Sequence, residues 1–143
     1  MGGAVRPRGI HHIGHAVDDM AGAVDVYQRL FGAVTEHHET VPEQGVEAVS
    51  LRVGSDCVEL LRPLGDDTPV GRFMASRGPG MHHVAYAVGD IRAALREAVA
   101  AGAELIDEEP HAGLFGLQVA FIHPSSVAGV LVEYVELEGA VDG

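Results

Sequence analysis

The chain contains one twelve-residue pattern twice, and this repeat decides the fold. It reads Gly9-Ile-His-His-Ile-Gly-His-Ala-Val-Asp-Asp-Met20 in the first half and Gly80-Met-His-His-Val-Ala-Tyr-Ala-Val-Gly-Asp-Ile91 in the second. The two copies start 71 residues apart in a chain of 143 residues. An internal repeat of this length predicts two equivalent modules. We therefore predict a single domain, residues 1–143, made of modules at about residues 8–65 and 79–138.

A helical pattern follows each copy. Apolar residues recur at helical spacing over residues 20–31 and again over residues 91–101, which predicts two amphipathic helices. Short polar residues before a helix cap its N-terminus, and glycines after it end it. The candidate caps are Asp18 or Asp19 and Asp90, and the candidate stops are Gly32 and Gly102.

Short segments with a strand-like pattern follow each helix. In the first module they cover residues 34–38, 46–53 and 56–62, and in the second residues 104–107, 117–123 and 129–137. Each module therefore reads strand, helix, strand, strand, strand. The segment that joins the modules contains a candidate short helix at residues 70–76.

Composition excludes several classes of protein. The net charge is -12, and all nine basic residues are arginine, so general nucleic-acid binding is not expected. No apolar run reaches the about 18 residues that a membrane span needs. The single cysteine, Cys57, excludes an internal disulfide framework and favours a reducing compartment, which predicts a cytoplasmic protein.

Strand alternation separates two histidines from their neighbours. In the first strand, Ile13, His15 and Val17 share a face that suits packing on the following helix, and His12 lies on the other face. By the repeat, His83 takes the position of His12. A lone histidine in a strand is usually structural, but its recurrence in both modules favours a shared function.

One acidic residue also recurs, in the last strand of each module. Glu59 lies in Cys57-Val-Glu-Leu-Leu61 and Glu133 in Leu131-Val-Glu-Tyr-Val135. A carboxylate in an apolar strand is costly unless it is paired with an arginine or bound to a cation. Two histidines and two glutamates suit a first-row divalent metal. The four predicted metal ligands are His12, Glu59, His83 and Glu133.

These residues, with several segments around them, resemble the vicinal oxygen chelate (glyoxalase/bleomycin resistance) superfamily, and within it the methylmalonyl-CoA epimerases. The resemblance covers residues 9–137 in order and spacing. Its most specific segments are Pro42-Glu-Gln-Gly-Val46 and Gly129-Val-Leu-Val-Glu133, and Gly80-Met-His-His83 and Asp107-Glu-Glu-Pro110 also match.

The resemblance implies an α+β fold in which two βαβββ modules form a cup-shaped mixed sheet around a metal. It also implies a homodimer that acts on an acyl-CoA, as an isomerase that interconverts (R)- and (S)-methylmalonyl-CoA through an enolate. Glu59 and Glu133 would be the catalytic bases. The metal would be cobalt or manganese, with nickel or zinc as alternatives.

Two other functions fit the same motifs. One is a glyoxalase I-type reaction on a thiol hemithioacetal, which needs the same four ligands. The other is a non-catalytic binding protein of the resistance type, in which the ligand set is often incomplete.

Overall fold

The described part of the chain falls into two compact units, whose bounds differ from those predicted for the two modules. The computed structural model describes residues 6–137, and the chain forms two compact units. The first module contains residues 12–82, and the second contains residues 83–137 together with residues 6–11. The chain changes module at His12 and at His83, which are matched positions of the repeat.

The first module is a four-stranded mixed sheet with two helices. Along the chain it contains β1 (Gly9–Ala16), α1 (Met20–Phe31), β2 (Val34–Val41), β3 (Val46–Val53), β4 (Asp56–Pro63) and α2 (Pro69–Arg77). The strand order is β2-β3-β4-β1. The pair β1/β4 is parallel, and the other two pairs are antiparallel.

The second module repeats this topology. It contains β5 (Gly80–Val88), α3 (Ile91–Ala100), β6 (His111–Ala112), β7 (Gln118–Ile122) and β8 (Val132–Glu136). The order β5-β8-β7-β6 matches that of the first module, with a parallel pair β5/β8. The first residues of β1 belong to this module, and just before them the Arg8 amide donates to the Ala87 carbonyl at 2.8 Å.

The helix ends follow the predicted capping residues. The Asp19 carboxylate accepts a hydrogen bond from the Gly22 amide at 3.0 Å, so Asp19 rather than Asp18 caps α1. Asp90 caps α3 in the same way. Gly32 ends α1 in the left-handed conformation at φ 63°, which costs a glycine little. At the end of α3 the capping position is Ala101, one residue before the predicted Gly102.

The helices α1 and α3 each pack their apolar stripe on one face of the sheet of their own module. The buried clusters therefore combine helix and strand residues, as the periodicities predicted. They are Val17, Met20, Ala33, Val49, Leu51 and Leu60 in the first module, and Val88, Ile91, Ala94, Leu95 and Ala120 in the second.

The predicted strand at residues 104–107 is wrong. This segment forms a single bridge between Leu105 and Ile122, and the short strand of the second module is His111–Ala112 instead. The amides of Ile106 and Asp107 both donate to the Phe121 carbonyl, and the Asp107 carboxylate accepts from the Phe121 amide at 2.8 Å. These bonds replace a regular ladder.

The predicted α+β architecture of two βαβββ modules is confirmed. The candidate short helix at residues 70–76 is also present, as α2. Among residues 6–137, no helix is long and apolar enough to cross a membrane.

Candidate metal centre

The first module buries a histidine and a glutamate side by side. β1 and β4 run parallel with Gly14 opposite Glu59, which brings His12 and Glu59 together on the face of the sheet away from α1. Their side chains are 5% and 8% exposed, and His12 Nε2 lies 3.6 Å from Glu59 Oε1.

The second module builds the same pair. β5 and β8 run parallel with Ala85 opposite Glu133, and His83 Nε2 lies 3.2 Å from Glu133 Oε1. The side chains are 3% and 9% exposed. The ring of Phe121, which lies opposite Glu133 on β7, meets the His83 imidazole edge to face with centroids 5.9 Å apart. The predicted pairing of one histidine with one glutamate in each module is therefore found at equivalent positions.

The geometry of both pairs fits metal ligation. Nitrogen and oxygen ligands lie about 2.0–2.2 Å from a first-row ion, so two neighbouring ligands are separated by about 2.8–3.6 Å. The distances of 3.6 Å and 3.2 Å fall within this range. The longer one exceeds the length of a hydrogen bond, so a simple His–Glu hydrogen bond does not account for it. The buried residues His12, Glu59 and His83 could hold a metal ion.

A serine and a cysteine accompany Glu59. Ser50 on β3 lies directly opposite Glu59, and its buried hydroxyl is 3.2 Å from the Cys57 thiol. Burial raises the pKa of Cys57, the hydrogen bond to Ser50 opposes this rise, and the negative charge of Glu59 adds to it. Ser50 was missed in the sequence. Its signal was the alternation of β3, where Val49 and Leu51 face the helix and Ser50 therefore faces the other way.

His15 lies on the helix-facing side of β1, as predicted, and has a structural partner there. Its Nδ1 is 2.8 Å from the hydroxyl of Tyr27 in α1. Burial lowers the pKa of His15 and raises that of Tyr27, which favours the uncharged form of both partners of this hydrogen bond. This pair joins the strand to the helix.

Glu47 is turned away from Glu59. In β3 its side chain shares a face with that of Val49, because the two residues are two positions apart. Its carboxylate accepts hydrogen bonds from Arg62 at 2.6 Å and His38 at 2.8 Å. The hydrogen bond from Arg62, followed by that from His38, lowers the pKa of Glu47. Glu47 is therefore an ordinary hydrogen-bond partner of Arg62 and His38.

Comparisons with known proteins agree with this arrangement. Residues 11–121 match the model of the Glyoxalase/Bleomycin resistance protein/Dioxygenase superfamily. The chain is 36% identical over 125 residues to the mitochondrial methylmalonyl-CoA epimerase of Bos taurus, covering 87% of this chain and 71% of that protein. It is 34% identical over 126 residues to the ethylmalonyl-CoA/methylmalonyl-CoA epimerase of Cereibacter sphaeroides, covering 87% of this chain and 94% of that one.

A solved structure extends the likeness to the whole fold. The Streptomyces coelicolor methylmalonyl-CoA epimerase, as a variant in complex with 2-nitronate-propionyl-CoA, superposes with a TM-score of 0.89 at 30% identity. The match covers 96% of this chain and 100% of that structure. The chain thus has the predicted vicinal oxygen chelate fold, and it belongs to that superfamily and, within it, to the family of the methylmalonyl-CoA epimerases, which are isomerases.

Proposed function

We propose that the protein is a metal-dependent epimerase that interconverts (R)- and (S)-methylmalonyl-CoA. The observation that carries the proposal is the matched pair of buried residues, His12 with Glu59 and His83 with Glu133. The names of its relatives supply the substrate class. A homodimer and a cytoplasmic location stay predictions from the sequence.

The four residues of the two pairs would hold one divalent cation, cobalt or manganese first and nickel or zinc as alternatives. When bound, the cation would supply positive charge next to the thioester oxygen, where negative charge develops as the α-proton leaves. The burial of all four side chains keeps water away, which strengthens their electrostatic interactions.

Epimerisation needs a proton acceptor on one face of the α-carbon and a donor on the other. Glu59 and Glu133 come from opposite modules and would act on opposite faces. In one direction, the carboxylate of one takes the α-proton, and the protonated carboxyl of the other returns its own proton to the opposite face. After one turnover the first glutamate is protonated and the second is ionised, which is the state that the reverse reaction needs. Exchange of these protons with solvent labels the product.

The test is α-proton exchange in D₂O, measured by NMR on each epimer of methylmalonyl-CoA separately. The metal-loaded protein should incorporate deuterium and invert the centre. Glu59→Gln and Glu133→Gln should each lose inversion by about 10²-fold or more, the usual contribution of an acid–base group. Each variant should still exchange the α-proton of one epimer. The epimer that exchanges in Glu59→Gln should be the opposite of the one that exchanges in Glu133→Gln. Elemental analysis of each variant then shows whether activity is lost with the metal ion still bound, as expected for a lost base, or because the metal ion is absent.

Glu43→Gln is the matched control. Glu43 is an exposed carboxylate in the turn between β2 and β3, outside both pairs. Inversion should be unchanged in this variant. If Glu43→Gln loses inversion while Glu59→Gln keeps full activity, the base is Glu43 and not Glu59. Absence of exchange in the metal-loaded wild type, or a faster reaction with methylglyoxal and glutathione, would contradict the epimerase function itself.

A further inference from the structure

The two modules surround their glutamates with different chemistry. In the first module the residue opposite the glutamate is Ser50, and in the second it is Phe121. Two residues before the glutamate stand Cys57, on the same face of β4, in the first module and Leu131, just before β8 begins, in the second. The backbone repeats, but the first module places two hydrogen-bonding groups where the second places two apolar ones.

Ser50 is built into the sheet. It is 5% exposed, and it lies between Val49 and Leu51, which pack into the helix-facing cluster. Its side chain therefore shares a face with that of Glu59. Directly opposite residues of antiparallel strands have Cβ atoms about 4.5–5.5 Å apart, which is within reach of a hydroxyl and a glutamate carboxylate.

The Cys57 thiol is a hydrogen-bond partner of the serine hydroxyl, and either group can be the donor. Ser50 Oγ and Cys57 Sγ are 3.2 Å apart, and a hydroxyl can accept one hydrogen bond while it donates another. When the thiol donates to Oγ, the hydroxyl proton is available to the carboxylate across the strand. A hydrogen bond to a charged group contributes more than one between neutral groups.

We propose that Ser50 is a positioning residue for Glu59: its hydroxyl, held by the Cys57 thiol, orients the Glu59 carboxylate, and only the first module's proton transfer depends on it. This rests on the proposed function, in which Glu59 serves one face of the substrate. The second module has no such hydroxyl opposite its glutamate, because Phe121 occupies that position and packs on His83 instead.

A purely steric role for Ser50 is the competing explanation, since a small residue is needed in a buried strand. The variants Ser50→Thr and Ser50→Val separate the two, because they have nearly the same volume and only threonine keeps the hydroxyl. Ser50→Ala removes the hydroxyl without adding volume. It therefore tests the role of the hydroxyl even if the larger threonine and valine side chains prevent folding. Ser55→Val, at an exposed residue of the β3–β4 turn, is the control.

Deuterium exchange of each epimer is measured first. Ser50→Val and Ser50→Ala should slow exchange of the epimer that depends on Glu59 by about tenfold, the effect of losing one hydrogen bond to a charged group. Exchange of the other epimer should stay within about twofold of wild type, and Ser50→Thr should restore both rates. Equal rates in the threonine and valine variants, or equal slowing of both epimers, would overturn the proposal.

A second measurement does not require activity. The visible absorption spectrum of the Co²⁺-loaded protein reports how the carboxylate ligands are held. Ser50→Val and Ser50→Ala should change this spectrum, while Ser50→Thr and Ser55→Val should keep that of wild type. If the wild type shows no exchange, the proposed function fails, and this spectrum still decides whether the Ser50 hydroxyl acts on Glu59. Identical spectra in all variants would contradict that action.

Discussion

At the scale of single residues, the repeat distinguishes histidines that the composition treats alike. His12 and His83 recur and pair with glutamates, whereas His15 has Tyr86 at its matched position and hydrogen-bonds Tyr27. One strand therefore carries a candidate ligand on one face and a structural histidine on the other. The strand period of two residues accounts for this division.

The His15–Tyr27 pair predicts a pH dependence of stability. In the unfolded chain His15 has its ordinary pKa of 6.5, and burial lowers this pKa in the folded state. The unfolded state therefore binds the proton more readily at acidic pH, and the contribution of His15 to the free energy of unfolding falls as the pH drops below about 6.5. Above that pH the contribution is constant.

Urea unfolding of metal-free protein between about pH 8 and pH 5 tests this. Wild type should lose more stability towards pH 5 than His15→Gln, which keeps a polar side chain that does not titrate. Parallel pH profiles for the two proteins would show that His15 does not carry the effect.

At the scale of elements, the starts of α1 and α3 each depend on one carboxylate. The Asp19 side chain accepts from the Gly22 amide, and the neighbouring Asp18 is exposed and caps nothing. Asp19→Ala should lower the free energy of unfolding by about 1 kcal/mol. Asp18→Ala, the control, should leave it within about 0.5 kcal/mol of wild type. Equal losses in both variants, measured by chemical denaturation, would point to bulk charge rather than capping.

The elements also show which parts of the fold are readable from the sequence. α1 and β3 have the predicted bounds because apolar periodicity and caps agree there. The segment at residues 104–107 has an apolar pattern too, but the Asp107 carboxylate binds the Phe121 amide and diverts the chain from a ladder. Such a side-chain to backbone contact spans 14 residues, so local sequence patterns do not reveal it.

In the candidate site, too, local sequence patterns reveal some residues and contacts between distant strands determine the others. Strand alternation and the repeat both single out His12, Glu59, His83 and Glu133 in the sequence. The structure places one of these histidines beside one of these glutamates in each module, and their role as metal ligands stays a prediction. The role that we propose for Ser50 was not predictable, because it depends on the register between β3 and β4, which is fixed by packing across strands.

At the scale of the whole molecule, the fold does not account for the strongly negative net charge. The chain carries a net charge of -12, and within residues 6–137 five arginines form ion pairs with carboxylates. These pairs are Arg29–Asp25, Arg52–Glu36, Arg62–Glu47, Arg72–Asp67 and Arg92–Glu109. Much of the positive charge is thus compensated by neighbouring acids. The acyl-CoA of the proposed function carries anionic phosphates, so it would approach a molecule of the same sign of charge.

This repulsion predicts an unusual salt dependence. Added salt shortens the Debye length from about 30 Å at 0.01 M to about 8 Å at 0.15 M, so it screens repulsion between protein and substrate. The kcat/KM for methylmalonyl-CoA should therefore rise several-fold over this range, mainly through the association rate. A methylmalonyl thioester of a short uncharged thiol lacks the phosphates, and its kcat/KM should change little. A fall in kcat/KM with salt for the CoA ester alone would instead mean that arginines gather at its phosphates strongly enough to outweigh the net charge.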